Sequence, residues 1–236
     1  MSAAGLHELA PDVYCLGSGK GGHVRAFLLD AARELTLVDT LFEDDARLVL
    51  GALDQLGRKP GDVKRIVLTH AHRSHLGGLL ALKQATGAPV LAHEWEADIV
   101  GGERRAQPGS LRPVLPLSLI PFRLGLLLNK PKHRPCPVDE TIGEGDAVGP
   151  LHVLFTPGHS PGHLAFHWPE RGLLIAGDSV ATWPNVSAGW QGFNLNEREH
   201  RASVARLAAI EAPIVGVGHG DPITNGAAET LHALVA

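Results

Sequence analysis

The chain has 236 residues, 44% hydrophobic and 19% charged, enough apolar material for a globular core and too much for a disordered chain. Its formal charge of −4 argues against a nucleic-acid surface built on phosphate contacts. Two cysteines, Cys15 and Cys136, exclude both a disulfide framework and a CxxC metal knuckle.

The opening residues, MSAAGLHELAPDVY, show neither a basic start nor an apolar run, so no secretory signal is expected and a cytoplasmic location is. Short β-type runs follow at Val13–Leu16, Val24–Leu29 and Leu35–Val38, with a glycine-rich hairpin loop between the first two. Lys20 in GSGKGG is a weak match to a phosphate loop, which needs GxxxxGK, then Ser or Thr, then a helix; here Gly21 and a strand follow. Helical spacing of Ala46, Val49, Leu50, Leu53 and Leu56 predicts a helix over 43–56, stopped by Gly57. The run KRIVLT reads as a buried strand. Leu79–Ala85 then reads as helix, Pro89–Ala92 as strand and Glu94–Val100 as helix.

Residues 101–140 are rich in Pro, Leu, Arg and Lys without a clean period, and read as an insertion or lid within a single domain spanning 1–236. The apolar window Leu111–Leu128 is broken by Pro113, Pro116 and Pro121 and by Arg112 and Arg123. No membrane span is expected, because one needs ~20 uninterrupted apolar residues. The same window makes a homodimer an expectation. Strands resume at Leu151–Phe155, Leu164–His167, Leu173–Ala176 and Ile214–Val217. Helices are predicted at Asn196–Ile210, with Asn196 as cap and Glu199 completing a capping box, and at Ala227–Val235. This alternation predicts a layered α/β fold.

Fourteen histidines are present, and their placement is the strongest signal. Thr69-His70-Ala71-His72-Arg73-Ser74-His75 directly follows a buried strand. Three imidazoles there cannot be buried without partners, since desolvating polar groups costs several kcal/mol. Thr156-Pro157-Gly158-His159, Gly177-Asp178-Ser179 and Gly218-His219-Gly220-Asp221 repeat the pattern: an apolar strand that ends in a ligand-type residue beside glycine. Strand-end loops are where α/β folds place their sites.

This set resembles the metallo-β-lactamase superfamily, whose signature is HxHxDH followed by a later His, Asp and His. The resemblance covers nearly the whole chain. It implies a four-layer αββα sandwich with the site at one edge of the sheets. It also implies two divalent metal ions, zinc before iron. The first would be held by His70, His72 and His159, the second by His75 and His219, with Asp178 bridging. The chain departs from the pattern at Ser74, where the family has an Asp that ligates the second ion and orients the attacking water. Three outcomes are open: two ions with extra water, one ion, or a non-catalytic binding protein.

The resemblance implies a hydrolase that uses metal-activated water on a small ester, lactone or phosphoester, with Asp178 and Ser74 at the catalytic positions. A mononuclear iron sulfur dioxygenase is the alternative, with His70, His159 and Asp178 as its iron ligands. The partner implied is a small-molecule substrate, contacted by His23, Trp183 and Phe193, with Trp190 as a further wall. Asp221 is a candidate substitute for the missing Asp, although it reads first as a turn cap. His163 reads as support for a ligand and His93 as a helix cap. Lys130, Lys132, His133 and Arg134 read first as a solvated run, second as a contact for an anionic substrate.

Overall fold

The computed structural model describes residues 5–107, 109, 113–130 and 132–236. Twelve strands among them form two sheets. The first runs β1 (Gly5–Ala10), β2 (Val13–Gly17), β3 (Arg25–Ala31), β4 (Glu34–Val38), β5 (Val63–Val67), β6 (Val90–Ala92) and β7 (Glu140–Thr141), in that spatial order. β1–β4 form an antiparallel meander, and β4 to β7 pair in parallel. The second sheet contains β8 (Ala147–Val148), β9 (Leu151–Phe155), β10 (Leu164–Trp168), β11 (Leu173–Ile175) and β12 (Ile214–Gly216). Its last pair is parallel and the others antiparallel. The helices are α1 (Arg47–Gln55), α2 (Arg73–Leu76), α3 (Leu79–Thr86), α4 (Glu94–Val100), α5 (Ile120–Leu128), α6 (Glu197–Ala208) and α7 (Ala227–Ala233).

Side-chain alternation along each strand sorts the apolar residues into layers. On β3, Phe27 and Leu29 face the second sheet while Ala26 and Leu28 face the layer that holds α1 and α3. On β10, Phe166 joins the inter-sheet core, while Ala165 packs toward Leu207 of α6 and Leu231 of α7. Three apolar seams between four layers make the expected αββα sandwich.

Several boundaries differ from expectation, each for a local reason. β1 was not expected, because GLHELA lacks an apolar alternation; the backbone ladder to β2 makes the strand. α1 begins at Arg47 rather than near residue 43: Ala46 sits in the left-handed region (φ 58°), and Ser18 Oγ donates to Glu43 (2.7 Å). Within 101–140 the structure contains α5. Pro121 stands in its first turn, where no intrahelical donor is required. Leu111 and Arg112 of the apolar window lie outside the described residues. Asn196 Oδ1 caps α6 by accepting from Arg198 N and Glu199 N, but the reciprocal half of the capping box is missing, because Asn196 N donates to Gly158 O.

The sandwich brings four strand ends to one edge. Beyond β5 come His70, His72 and His75; beyond β9, His159; beyond β11, Asp178; beyond β12, His219. Leu164 N donates to Thr69 O (2.8 Å) and Arg25 N to Gly218 O (2.9 Å), tying the two sheets together at that edge.

Candidate metal centre

The six residues expected as metal ligands converge. His70, His72, His159 and Asp178 form one group and His75, Asp178 and His219 another, with the ligand atoms of each group within 4.8 Å of one another. His72 Nδ1 lies 3.0 Å from both His70 Nε2 and His159 Nε2. Asp178 Oδ2 stands 3.6 Å from His70 Nε2 and 3.3 Å from both His159 Nε2 and His219 Nε2. Asp178 Oδ1 is 3.3 Å from His75 Nε2.

The far side of each ring determines what the near side offers. Thr69 Oγ1 donates to Asp39 Oδ2 (2.8 Å), so it accepts from His70 Nδ1 (3.0 Å). His75 Nδ1 donates to Asp39 Oδ2 (2.8 Å), His159 Nδ1 to Asn194 Oδ1 (3.1 Å) and His219 Nδ1 to Gly22 O (2.9 Å). With Nδ1 committed outward in four rings, Nε2 of His70, His75, His159 and His219 faces the centre and offers a lone pair wherever the ring is neutral. Gly22, at φ +82°, turns its carbonyl toward His219. A Cβ on Gly218 would lie 1.8 Å from Asp178 Oδ1. Both glycines are therefore required by close approach.

One proton on His72 Nδ1 cannot bridge two ring nitrogens well, so lone pairs face each other across the first group. In the second, His75 Nε2 and Asp178 Oδ1 are buried without a formed hydrogen bond. A tetrahedral ion with bonds of about 2.0–2.1 Å spaces its ligands about 3.3 Å apart, close to the separations here. The donor set of imidazoles and one carboxylate is that of a borderline dication such as zinc or iron.

Electrostatics supports the neutral form for His70, His72 and His159, and the charged form for His75. Burial holds His70 well below the ordinary imidazole range, and lowers His72 to about 4 and His159 to about 3, so these rings are neutral, as ligation requires. Burial also opposes charge on His75, but Asp178 and Asp39 together outweigh it and raise its pKa to about 10. Burial would raise Asp178, yet His219, His75 and His70 hold it well below the usual carboxylate range.

A family model for the metallo-beta-lactamase superfamily matches residues 19–219. The chain belongs to the metallo-beta-lactamase superfamily. The protein YobT of Bacillus subtilis, itself uncharacterised, is 31% identical over 84% of this chain and 83% of its own length. A hydroxyacylglutathione hydrolase of Cereibacter sphaeroides is 28% identical over 80% of this chain and 67% of its own. Among solved structures, the metallo-beta-lactamase family protein TTHA1429 of Thermus thermophilus superposes with a TM-score of 0.68 at 29% identity, covering 97% of this chain and 79% of that one. By family the chain is a metallo-hydrolase.

The other expected site residues are placed as follows. Ser74 is half-buried and lines the cleft beside His72, Asp178 and His219, as does Phe193. His23 and Trp183 meet each other, their rings 4.8 Å apart, but neither lines the cleft; Trp190 does, its ring stacked 4.1 Å from that of His219. Asp221 does not replace the missing carboxylate: it pairs with Arg25 (2.7 Å) and points to solvent. His163 Nε2 accepts from Asp178 N (3.1 Å), and His93 Nδ1 caps α4 by accepting from Trp95 N (3.2 Å).

Three supporting residues escaped the sequence reading. Asp39 ends β4 as His70 follows β5, so the strand-end pattern could have flagged it. Asn194 lies 35 positions from His159 and carries no local signal. Glu96 is buried on α4 and accepts from Ala71 N (3.0 Å), Ser160 Oγ (2.6 Å) and Gly162 N (2.8 Å), joining the two histidine loops.

Proposed function

We propose that this protein hydrolyses a small ester-type substrate, an ester, thioester, lactone or phosphoester, with metal-activated water. His70, His72 and His159 would hold the first ion and His75 and His219 the second, with Asp178 between them. The observation that carries this reading is the set of four Nδ1 atoms committed outward, which turns four Nε2 atoms toward one carboxylate.

A bound dication lowers the pKa of water toward ~7 and polarises the substrate oxygen. The chain supplies the rest. Asp178, the carboxylate shared by the two ligand groups, would orient the attacking water, while its depressed pKa makes it a weak acceptor of that water's proton. Ser74 offers a neutral hydroxyl where the family carboxylate would stand, so the second ion is held by one charge less and binds more weakly than the first. Trp190 and Phe193 wall the substrate from solvent. A homodimer would use the outer face of α5, where Leu124, Leu127 and Leu128 are exposed; sedimentation velocity tests it. Among the described residues no helix is long and apolar enough to cross a membrane.

The test combines elemental mass spectrometry on protein purified without added metal with a panel of chromogenic esters, lactones, thioesters and phosphotriesters. Turnover that disappears on chelation and returns with zinc or iron is expected. No metal-dependent turnover of any panel member rejects the hydrolase reading.

A further inference from the structure

The cleft over the metal centre has a volume of about 610 Å³, within the ~300–1,000 Å³ range of small-molecule sites. Part of its lining is apolar and at least half-buried: Ile99, Phe122, Leu126, Trp190 and Phe193 share the cleft with His72, Asp178 and His219. Its exposed end is cationic. Arg73, Arg105, Lys130 and Lys132 line the same cleft, and among the described residues none of the four is in an ion pair. Arg104, also on the wall, is neutralised by Asp98 at 2.6 Å, and Glu103 is the one acidic lining residue besides Asp178. Arg73 is fixed in place: Nη1 donates to Phe42 O (2.6 Å), Nε donates to Lys132 O (3.1 Å), and the guanidinium lies 4.6 Å over the Phe42 ring.

Charge is segregated along the chain in the same sense. Residues 104–138 contain seven of the 21 basic residues and none of the 25 acidic ones, so the remainder carries 14 basic against 25 acidic. Cations gathered at one mouth of an otherwise anionic protein steer anions to that mouth. A neutral apolar molecule would use only the wall, and a small polar anion only the rim. An amphiphilic anion uses both.

We propose that the cleft selects substrates in which an apolar acyl chain enters toward Phe122, Leu126 and Phe193 and an anionic group beyond the scissile carbonyl meets Arg105, Lys130 and Lys132. This rests on the hydrolytic reading above and narrows its substrate class to anionic acyl esters or thioesters. Water is the sole co-reactant. The acyl C–O or C–S bond breaks, the acyl carbon gains the water oxygen, and a proton passes to the leaving group.

Binding is measured separately from turnover, using non-hydrolysable S-alkyl thioethers on the as-purified protein by titration calorimetry. The probes are S-octyl and S-methyl coenzyme A, which are anionic, and S-octyl pantetheine, which is neutral. Each buried methylene is worth about fourfold in affinity, so S-octyl coenzyme A should bind at least 30-fold tighter than S-methyl coenzyme A. It should also bind at least tenfold tighter than S-octyl pantetheine. That second gap should close in 0.5 M salt and in the K130E/K132E variant, both of whose sites are exposed. Leu126→Asn should shrink the octyl-to-methyl ratio and leave the charge ratio standing. Equal affinity for the charged and neutral octyl probes, or a charge gap indifferent to K130E/K132E, overturns the proposal. If the binding pattern holds but no octanoyl thioester is hydrolysed, the hydrolase reading fails and the ligand class stands.

Discussion

His75 stands between two carboxylates, with Asp39 Oδ2 2.8 Å from Nδ1 and Asp178 Oδ1 3.3 Å from Nε2. Asp39 does two jobs in this arrangement, since it also accepts from Thr69 N and Thr69 Oγ1 and thereby fixes the tautomer of His70. Asp39→Asn keeps the shape and removes the charge. Loss of an outer partner of this kind costs 10–100-fold in metal affinity. The loss should fall mainly on the ion bound by His75, as read from chelator competition on the two ions. An equal loss at both sites would show that Asp39 acts through Thr69 instead. Ser74→Asp runs the other way: it adds a carboxylate beside the second group and should raise metal content toward two ions per chain by elemental analysis. Unchanged stoichiometry would mean that Ser74 does not set the occupancy. The candidate ligands were legible in the sequence because four motifs stand in the order of the metallo-β-lactamase signature, and because His159, Asp178 and His219 each follow an apolar strand beside glycine. Asp39 matters only because α2 turns His75 back toward the end of β4, and that turn is tertiary.

At the scale of elements, α4 is a clamp. Glu96 reaches from it to the loop of His70 and His72 through Ala71 N, and to the loop of His159 through Ser160 Oγ and Gly162 N. Burial raises the Glu96 pKa, and the bonds from Ser160, Gly162 and Ala71 offset part of that rise. Glu96→Ala strands three buried donors, each worth roughly 1–3 kcal/mol when left unpaired, so a loss of about 3–5 kcal/mol in urea unfolding is expected. Glu96→Gln keeps one oxygen for Ser160 and Gly162 but turns an amide N–H toward Ala71 N. It should therefore cost about 1–3 kcal/mol, less than the alanine variant. Equal costs for the two would show that Glu96 acts by packing rather than as an acceptor. The helix itself was plain from the sequence, whereas the role of Glu96 was not, because its partners come from loops 25 and 64 or more positions away. α5 was hidden for a different reason: Pro121 is tolerated at its start, and Arg123 lies on a face that reaches a backbone carbonyl. Arg123 Nη2 donates to Gly109 O (3.0 Å).

The whole molecule buries several neutral imidazoles at one sheet edge, and this sets how the metal-free protein responds to pH. Unfolded histidines titrate near 6.5, whereas in the fold burial lowers His72 to about 4 and His159 to about 3 and holds His70 and His163 well below their ordinary value. Between pH 6.5 and 4 the unfolded chain binds more protons than the native one. Stability then rises with pH across that window and is lost as pH falls. Each such proton contributes a slope of about 1.4 kcal/mol per pH unit. His75 has the opposite sign. Its pKa is raised to about 10, so its contribution is complete below 6.5 and is lost as pH rises toward and through 10. Chelator-treated protein should therefore show a urea midpoint that peaks near pH 6.5–7 and falls on both sides. Reloading with zinc should raise the midpoint more at neutral pH than at pH 5, because the ion must displace the proton that His75 holds and that displacement grows harder as pH falls. A midpoint for the chelated protein that stays level from pH 7 to 4.5 would mean that these imidazoles are not held neutral by the fold.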